Sequence, residues 1–179
     1  ETVEREGGYT GWKKEFPSVW TPPQETEVPY VPPDVILATD LHYQSALTDD
    51  GGEAFQLFVE RSDGKVIRYL PQLLEAFLDE VIEEKPAALV LSGDITMNGE
   101  KVNHQELADR LKRVQDAGVQ VLVIPGNHDI NNGNAAVYYG AEKAAAPSID
   151  GPEFYDIYHE YGYDQALSRD SDSLSYVYA

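Results

Sequence analysis

Three short apolar runs in this chain carry no polar alternation. They are Val35 to Thr39, Ala87 to Ser92 and Val119 to Pro125. Runs of this kind suit parallel strands covered on both faces. Between the first and second run, Leu70, Leu73, Leu74, Phe77, Leu78, Val81 and Ile82 recur at helical spacing. Pro71 suits the first turn of that helix and Pro86 ends it. A second helix is predicted over Lys101 to Ala117, with Leu107, Leu111 and Val114 on one face and Gly118 as its C-terminal cap. Strand, helix, strand, helix, strand is the order of a parallel α/β sheet with right-handed crossovers.

The rest of the pattern is weaker. Phe55 to Glu60 and Lys65 to Leu70 flank Ser62-Asp63-Gly64, a hairpin signal. Ala135 to Ala146 is Ala-rich and reads as weakly helical. Pro152 to Tyr161 reads as a short helix stopped by Gly162, and Ser173 to Tyr178 alternates like a strand. Residues 1–33 differ in kind. Their prolines (17, 22, 23, 29, 32 and 33) predict an extended arm, whose Trp12, Phe16, Trp20 and Tyr30 are expected to pack on a domain covering 34–179.

Composition narrows the function classes. The chain has 179 residues, enough for one domain with its own core. Its formal net charge of −19 disfavours nucleic acid and anionic lipid as partners, since both are bound through Lys and Arg. It has no cysteine, which excludes disulfides, thiolate nucleophiles and Cys-based zinc sites. No apolar run approaches the roughly 18 residues of a membrane span.

Each predicted strand ends in a polar cluster. The first runs into Asp40-Leu41-His42, the second into Gly93-Asp94, and the third into Gly126-Asn127-His128-Asp129. Ligands of open α/β sheets gather beyond the carboxyl ends of parallel strands. If the three strands are neighbours, these side chains converge. Carboxylate, imidazole and amide oxygen are metal-ligand chemistry. Asp40 and His42 reach one ion if the chain leaves strand geometry after Thr39. Asp94 has two oxygens and can bridge two ions, and Asn127 binds without adding charge. Two ions about 3.5–4 Å apart clamp a phosphoryl group and supply a nucleophile at neutral pH. His128 then points at the substrate, with Asp129 expected to hold its imidazole. His104 is read as a surface or helix-packing histidine, and His159 as a charge near a helix C-terminus. Most of the late tyrosines are expected to cover the core.

Through Asp40-Leu41-His42, Gly93-Asp94 and Gly126-Asn127-His128-Asp129, in that order, the chain resembles the calcineurin-like metallophosphoesterases. The stretch from Ser92 to Asn132, with Asn98-Gly99-Glu100, looks like the secreted or lipoprotein-like bacterial branch. The resemblance implies the parallel-sheet βαβ half of a four-layer α/β/β/α sandwich. It implies two divalent ions such as Mn, Fe or Zn, held by Asp40 and His42, bridged by Asp94 and completed by Asn127. His128 would stabilise the transition state or protonate the leaving group, on a small phosphomonoester or phosphodiester. The family completes its site with later histidines, and His159 matches none of them. The chain is therefore expected to be the N-terminal part of a longer enzyme, of low or no activity without the rest and with a weak hold on metal. Its expected location is extracytoplasmic or at a bacterial cell surface. The rival expectation is a non-catalytic binding or scaffold module on the same fold.

Overall fold

The structure is a computed structural model that describes residues 32–62 and 64–179. The expected proline-rich arm lies outside the described residues, apart from its last two prolines, which are exposed.

Strands β1 (Val35–Ala38), β2 (Ala88–Ser92) and β3 (Gln120–Ile124) form one parallel sheet in the order β1-β2-β3. Val35 pairs with Ala88 and Ala88 with Gln120, so the three carboxyl ends lie level. The crossovers are α2 (Leu70–Glu84) and α3 (Lys101–Asp116). Their apolar faces bury Leu78, Val81, Leu107, Leu111 and Val114 together with Leu89, Leu91, Val121 and Val123 of the sheet. Truncating any one of these large side chains is worth about 2–5 kcal/mol of stability. All five of these elements appear within two residues of their expected bounds.

The opposite sheet face corrects one expectation. Among the described residues, β1 is covered on one side only: Val35 is 52% and Leu37 67% exposed. β1 is an edge strand, and its residues alternate between the core and the open face. Near β3 that face is closed by the chain end. The Tyr176 hydroxyl donates to the Val123 carbonyl, and Gly162 packs against Leu122.

Two further expectations fail for one physical reason. Phe55 to Glu60 is not a hairpin strand but helix α1 (Glu53–Glu60). Ala135 to Ala146 is not helical but the antiparallel hairpin of β4 (Ala136–Tyr139) and β5 (Glu142–Ala145), turned at Gly140 with φ 58°. Both segments are short and locally ambiguous, so tertiary partners decide them. Phe55, Ile67, Met97, Ala136 and Tyr138 build a second small core, and Phe58 stacks on Tyr138 at 4.7 Å between centroids. This core sits beside the strand-end loops, because Met97 belongs to it.

The C-terminal helix α4 (Gly151–Tyr158) opens with a capping box. Asp150 accepts from the Glu153 amide while Glu153 accepts from the Asp150 amide. It runs into an irregular turn, His159–Tyr163, where Gly162 takes φ 109°, close to the expected stop. The expected strand over Ser173 to Tyr178 shrinks to β7 (Tyr176–Val177), paired with β6 (Ser168–Arg169).

Candidate metal centre

Beyond Ala38 the chain leaves strand geometry, as the ligand spacing required. Asp40 and His42 take φ of 57° and 45°, and Asp94 takes 50°. Left-handed backbone is uncommon for residues with a side chain and costs about 1–2 kcal/mol each. Strained backbone of this kind clusters at active sites and ligand clamps. The contorted segments remain paired. Asp40 N donates to Gly93 O at 3.1 Å, His42 N to Asp94 O at 3.0 Å, and Tyr43 N to Ile95 O at 3.0 Å. The strain thus turns side chains inward without sacrificing backbone hydrogen bonds. As a result, one ligand atom from each of Asp40, His42 and Asp94 lies within 4.8 Å of the other two.

The third strand contributes through glycine. A β-carbon on Gly126 would overlap both Oδ1 and the backbone nitrogen of Asp94, and one on Gly93 would come within 2.8 Å of Gly126. These two positions let the β2 and β3 loops touch backbone to backbone. His128 N then donates to Asp94 Oδ1 at 2.9 Å. Asn127, between Gly126 and His128 in sequence, is exposed.

The His128 ring stands edge-on to His42, with centroids 4.8 Å apart. Its orienting partner is not the one expected. His128 Nδ1 lies 2.7 Å from the Met97 carbonyl, an acceptor, so Nδ1 carries the proton and Nε2 is the ring nitrogen without one when the imidazole is neutral. Among the described residues, Asp129 accepts no hydrogen bond from that ring. Its carboxylate is fully buried and accepts from four groups: Ile95 N at 3.2 Å, Thr96 N and Thr96 Oγ1 at 2.8 Å, and Gly126 N at 2.7 Å. Asp129 clamps the β2 loop to the β3 loop. Sequence reasoning missed both the Met97 carbonyl, which has no side-chain signal, and Thr96. Two residues past Gly93-Asp94, Thr96 carries one faint hint as a hydroxyl between the apolar Ile95 and Met97.

Glu100 also went unremarked as a single residue. It is buried and accepts from Asn98 N at 3.0 Å, Asn103 Nδ2 at 2.7 Å and Ala136 N at 3.2 Å. Burial raises its pKa. Of the two roles expected for His104 the structure shows the helix-packing one: it is fully buried, its ring stands against Phe154 and Tyr158, and its Nε2 donates to the Asp129 carbonyl at 2.8 Å. His159 stays apart from the centre, with Nδ1 2.7 Å from Asp164 Oδ2. Tyr158, Tyr161 and Tyr163 are core residues, whereas Tyr139 is half exposed.

Electrostatics favour a neutral ligand at His42. Burial, then the charges of Lys65 and His128, hold its imidazole below the usual value of 6.5, against the pull of Asp94 and Asp40. Two carboxylates and a neutral imidazole with ligand atoms within 4.8 Å of one another suit a divalent metal ion. The fit rests on that donor set and on its strained, fixed backbone. Among the described residues, the three form the one group of carboxylates and histidines so arranged.

Comparison with known proteins agrees with the geometry. The chain is 31% identical over 110 residues to the uncharacterized metallophosphoesterase YkuE of Bacillus subtilis (strain 168), covering 61% of this chain and 38% of that protein. It is 39% identical over 59 residues to a probable cyclic nucleotide phosphodiesterase of Ruthia magnifica subsp. Calyptogena magnifica, covering 33% of this chain and 24% of that one. The chain thus spans less than two fifths of either relative's length. Residues 33–175 match the model of the calcineurin-like phosphoesterases, with Asp40, His42, Asp94 and His128 all inside the match, and the chain belongs to that family.

Proposed function

We propose that the protein hydrolyses a small phosphomonoester or phosphodiester at a dinuclear metal centre. The observation that carries this is the convergence of Asp40, His42 and Asp94 within 4.8 Å on a strained backbone. Asp40 and His42 would hold the first ion, Asp94 would bridge, and Asn127 would serve the second. A divalent pair supplies an activated water and neutralises charge on the phosphoryl group. The chain's own contribution is orientation. Met97 keeps the His128 proton on Nδ1, so Nε2 faces the substrate as acceptor when neutral and as donor when protonated. Asp129 and Gly126 keep Asp94 at the junction of two loops.

The test is hydrolysis of an aryl phosphate and a bis-aryl phosphate with added Mn²⁺, beside Mn²⁺ titration of the wild type and Asp94→Ala. Turnover that disappears in Asp94→Ala, with metal uptake reduced, is the expected result. Equal metal uptake by both proteins would remove the bridging role and favour the rival scaffold module. No helix among the described residues is long and apolar enough to cross a membrane. An extracytoplasmic location is part of this proposal, supported by the resemblance of Ser92 to Asn132 and tested by fractionating the cells that make the protein.

A further inference from the structure

Lys65 reaches the centre from outside it. Its Nζ lies 3.2 Å from His42 Nε2, and that same nitrogen lies 3.5 Å from Asp40 Oδ1. The ammonium therefore stands at the mouth of the ligand set. Its backbone is held: Lys65 N donates to Ser62 O at 3.1 Å, and Ile67, two residues on, is buried in the second core. Among the described residues, the Lys65 ammonium touches this ring nitrogen and pairs with no carboxylate. Lys101, Arg110, Lys112 and Arg113 each pair with acids elsewhere.

Nε2 is the ring nitrogen beside the Asp40 carboxylate, and were it to bind a divalent ion it could not also receive an ammonium, since the two cations repel. On metal uptake the Lys65 head must swing outward. Its flexible four-carbon stem permits that, while the fixed backbone keeps it within side-chain reach of the centre. Lys65 is exposed, so the contact with His42 contributes little to stability and is free to be exchanged. The chain carries a net charge of −19, which opposes the approach of any anion. A phosphoryl group arriving at the ions meets Lys65 as a mobile positive charge beside His42.

We propose that Lys65 is a substrate-contacting residue, whose ammonium donates to phosphoryl oxygens of the phosphoester at the Asp40, His42 and Asp94 centre. This rests on the phosphoesterase reading and adds a specificity element from the α1 side of the site. It also assigns a role to the 45–69 excursion, whose helix α1 and buried Ile67 present Lys65.

The experiment is calorimetric titration of the whole protein with Mn²⁺ alone and then, metal-loaded, with inorganic phosphate. Wild type, Lys65→Ala and Lys65→Arg are compared, with circular dichroism to verify folding. Lys65→Ala should take up Mn²⁺ as tightly as wild type or more tightly, and bind phosphate about tenfold more weakly, the scale of one charge-assisted hydrogen bond. Lys65→Arg should recover most of the loss. Phosphate affinity in Lys65→Ala within twofold of wild type would overturn the proposal. So would loss of metal and phosphate affinity together, which would make Lys65 a structural prop. A wild type that loads Mn²⁺ yet ignores phosphate defeats the phosphoesterase reading itself, and shows as such before any variant is compared.

Discussion

The backbone N–H of His128 donates to Asp94 Oδ1 at 2.9 Å, so the histidine whose ring stands against His42 is anchored through its main chain to the central carboxylate. The contact exists because Gly126 brings the β3 loop against Asp94 with no β-carbon in the way. Gly126→Ala must push the two loops apart. We expect a loss of about 1–3 kcal/mol in urea unfolding, the usual scale of overpacking, together with weaker Mn²⁺ uptake. Unchanged metal affinity would show that the glycine contact does not position Asp94.

Asp129 separates support from chemistry. Four donors converge on its buried carboxylate. Asp129→Asn turns an NH₂ group toward some of those donors, leaving buried hydrogen bonds unmade. The expected loss is about 3 kcal/mol, read as a lower urea midpoint, with or without metal. Asp40→Ala, at an exposed position, should lower metal affinity with little change in the stability of the metal-free protein. Two variants with the same profile would contradict the division of roles.

Strain at the centre should be recoverable as stability. Asp40 holds φ 57° and is exposed. Asp40→Gly removes the steric penalty but adds freedom to the unfolded chain, for an expected net gain of about 0.5–1 kcal/mol without metal. The same change should abolish the stabilisation that Mn²⁺ confers by binding only the native state. A thermal scan with and without Mn²⁺ reads both effects.

His104 predicts the acid limit of stability. Burial lowers its pKa below 6.5, outweighing the neighbouring Asp129 charge and carbonyl bond that raise it. The unfolded state therefore takes up the proton first. The stability associated with neutral His104 is present above about pH 6.5 and is lost as pH falls below it. His104→Gln should flatten that part of the pH–stability curve, at a lower overall stability. An unaltered slope between pH 7 and pH 5 would assign the acid sensitivity to other groups.

Glu100 ties the 98–100 loop to Asn103 and to β4, next to the Met97 carbonyl that orients His128. Glu100→Gln keeps the shape but must offer an NH₂ to donors. The expected outcome is a loss of about 1–3 kcal/mol and faster hydrogen exchange in the 96–100 amides. Stability equal to wild type would remove Glu100 from this role.

Much of the molecule was legible along the chain. The β1-α2-β2-α3-β3 order followed from apolar runs and helical spacing, because those signals are long and periodic. The convergence of Asp40, His42 and Asp94, with the His128 ring beside them, followed from positions at strand ends, since parallel strands in sequential order must deliver their carboxyl ends to one edge. Other features depended on contacts that no local pattern encodes. α1 and the β4–β5 hairpin are short segments whose form was decided by packing of Phe55, Phe58, Ala136 and Tyr138 against one another. The partner of His128 is a main-chain carbonyl, and every residue has one, so only the folded loop could select Met97. Asp129 looked like an orienting carboxylate by adjacency, yet four converging donors drew it inward. Lys65, 23 positions beyond His42, came to the centre through a loop tethered by a buried isoleucine. The sequence by itself determined the donor types and the sheet that collects them, because both are written in composition and period. Only the tertiary structure decided which groups hold those donors in place, because hydrogen-bond partners are chosen by three-dimensional proximity and by the penalty for leaving buried polar groups unpaired.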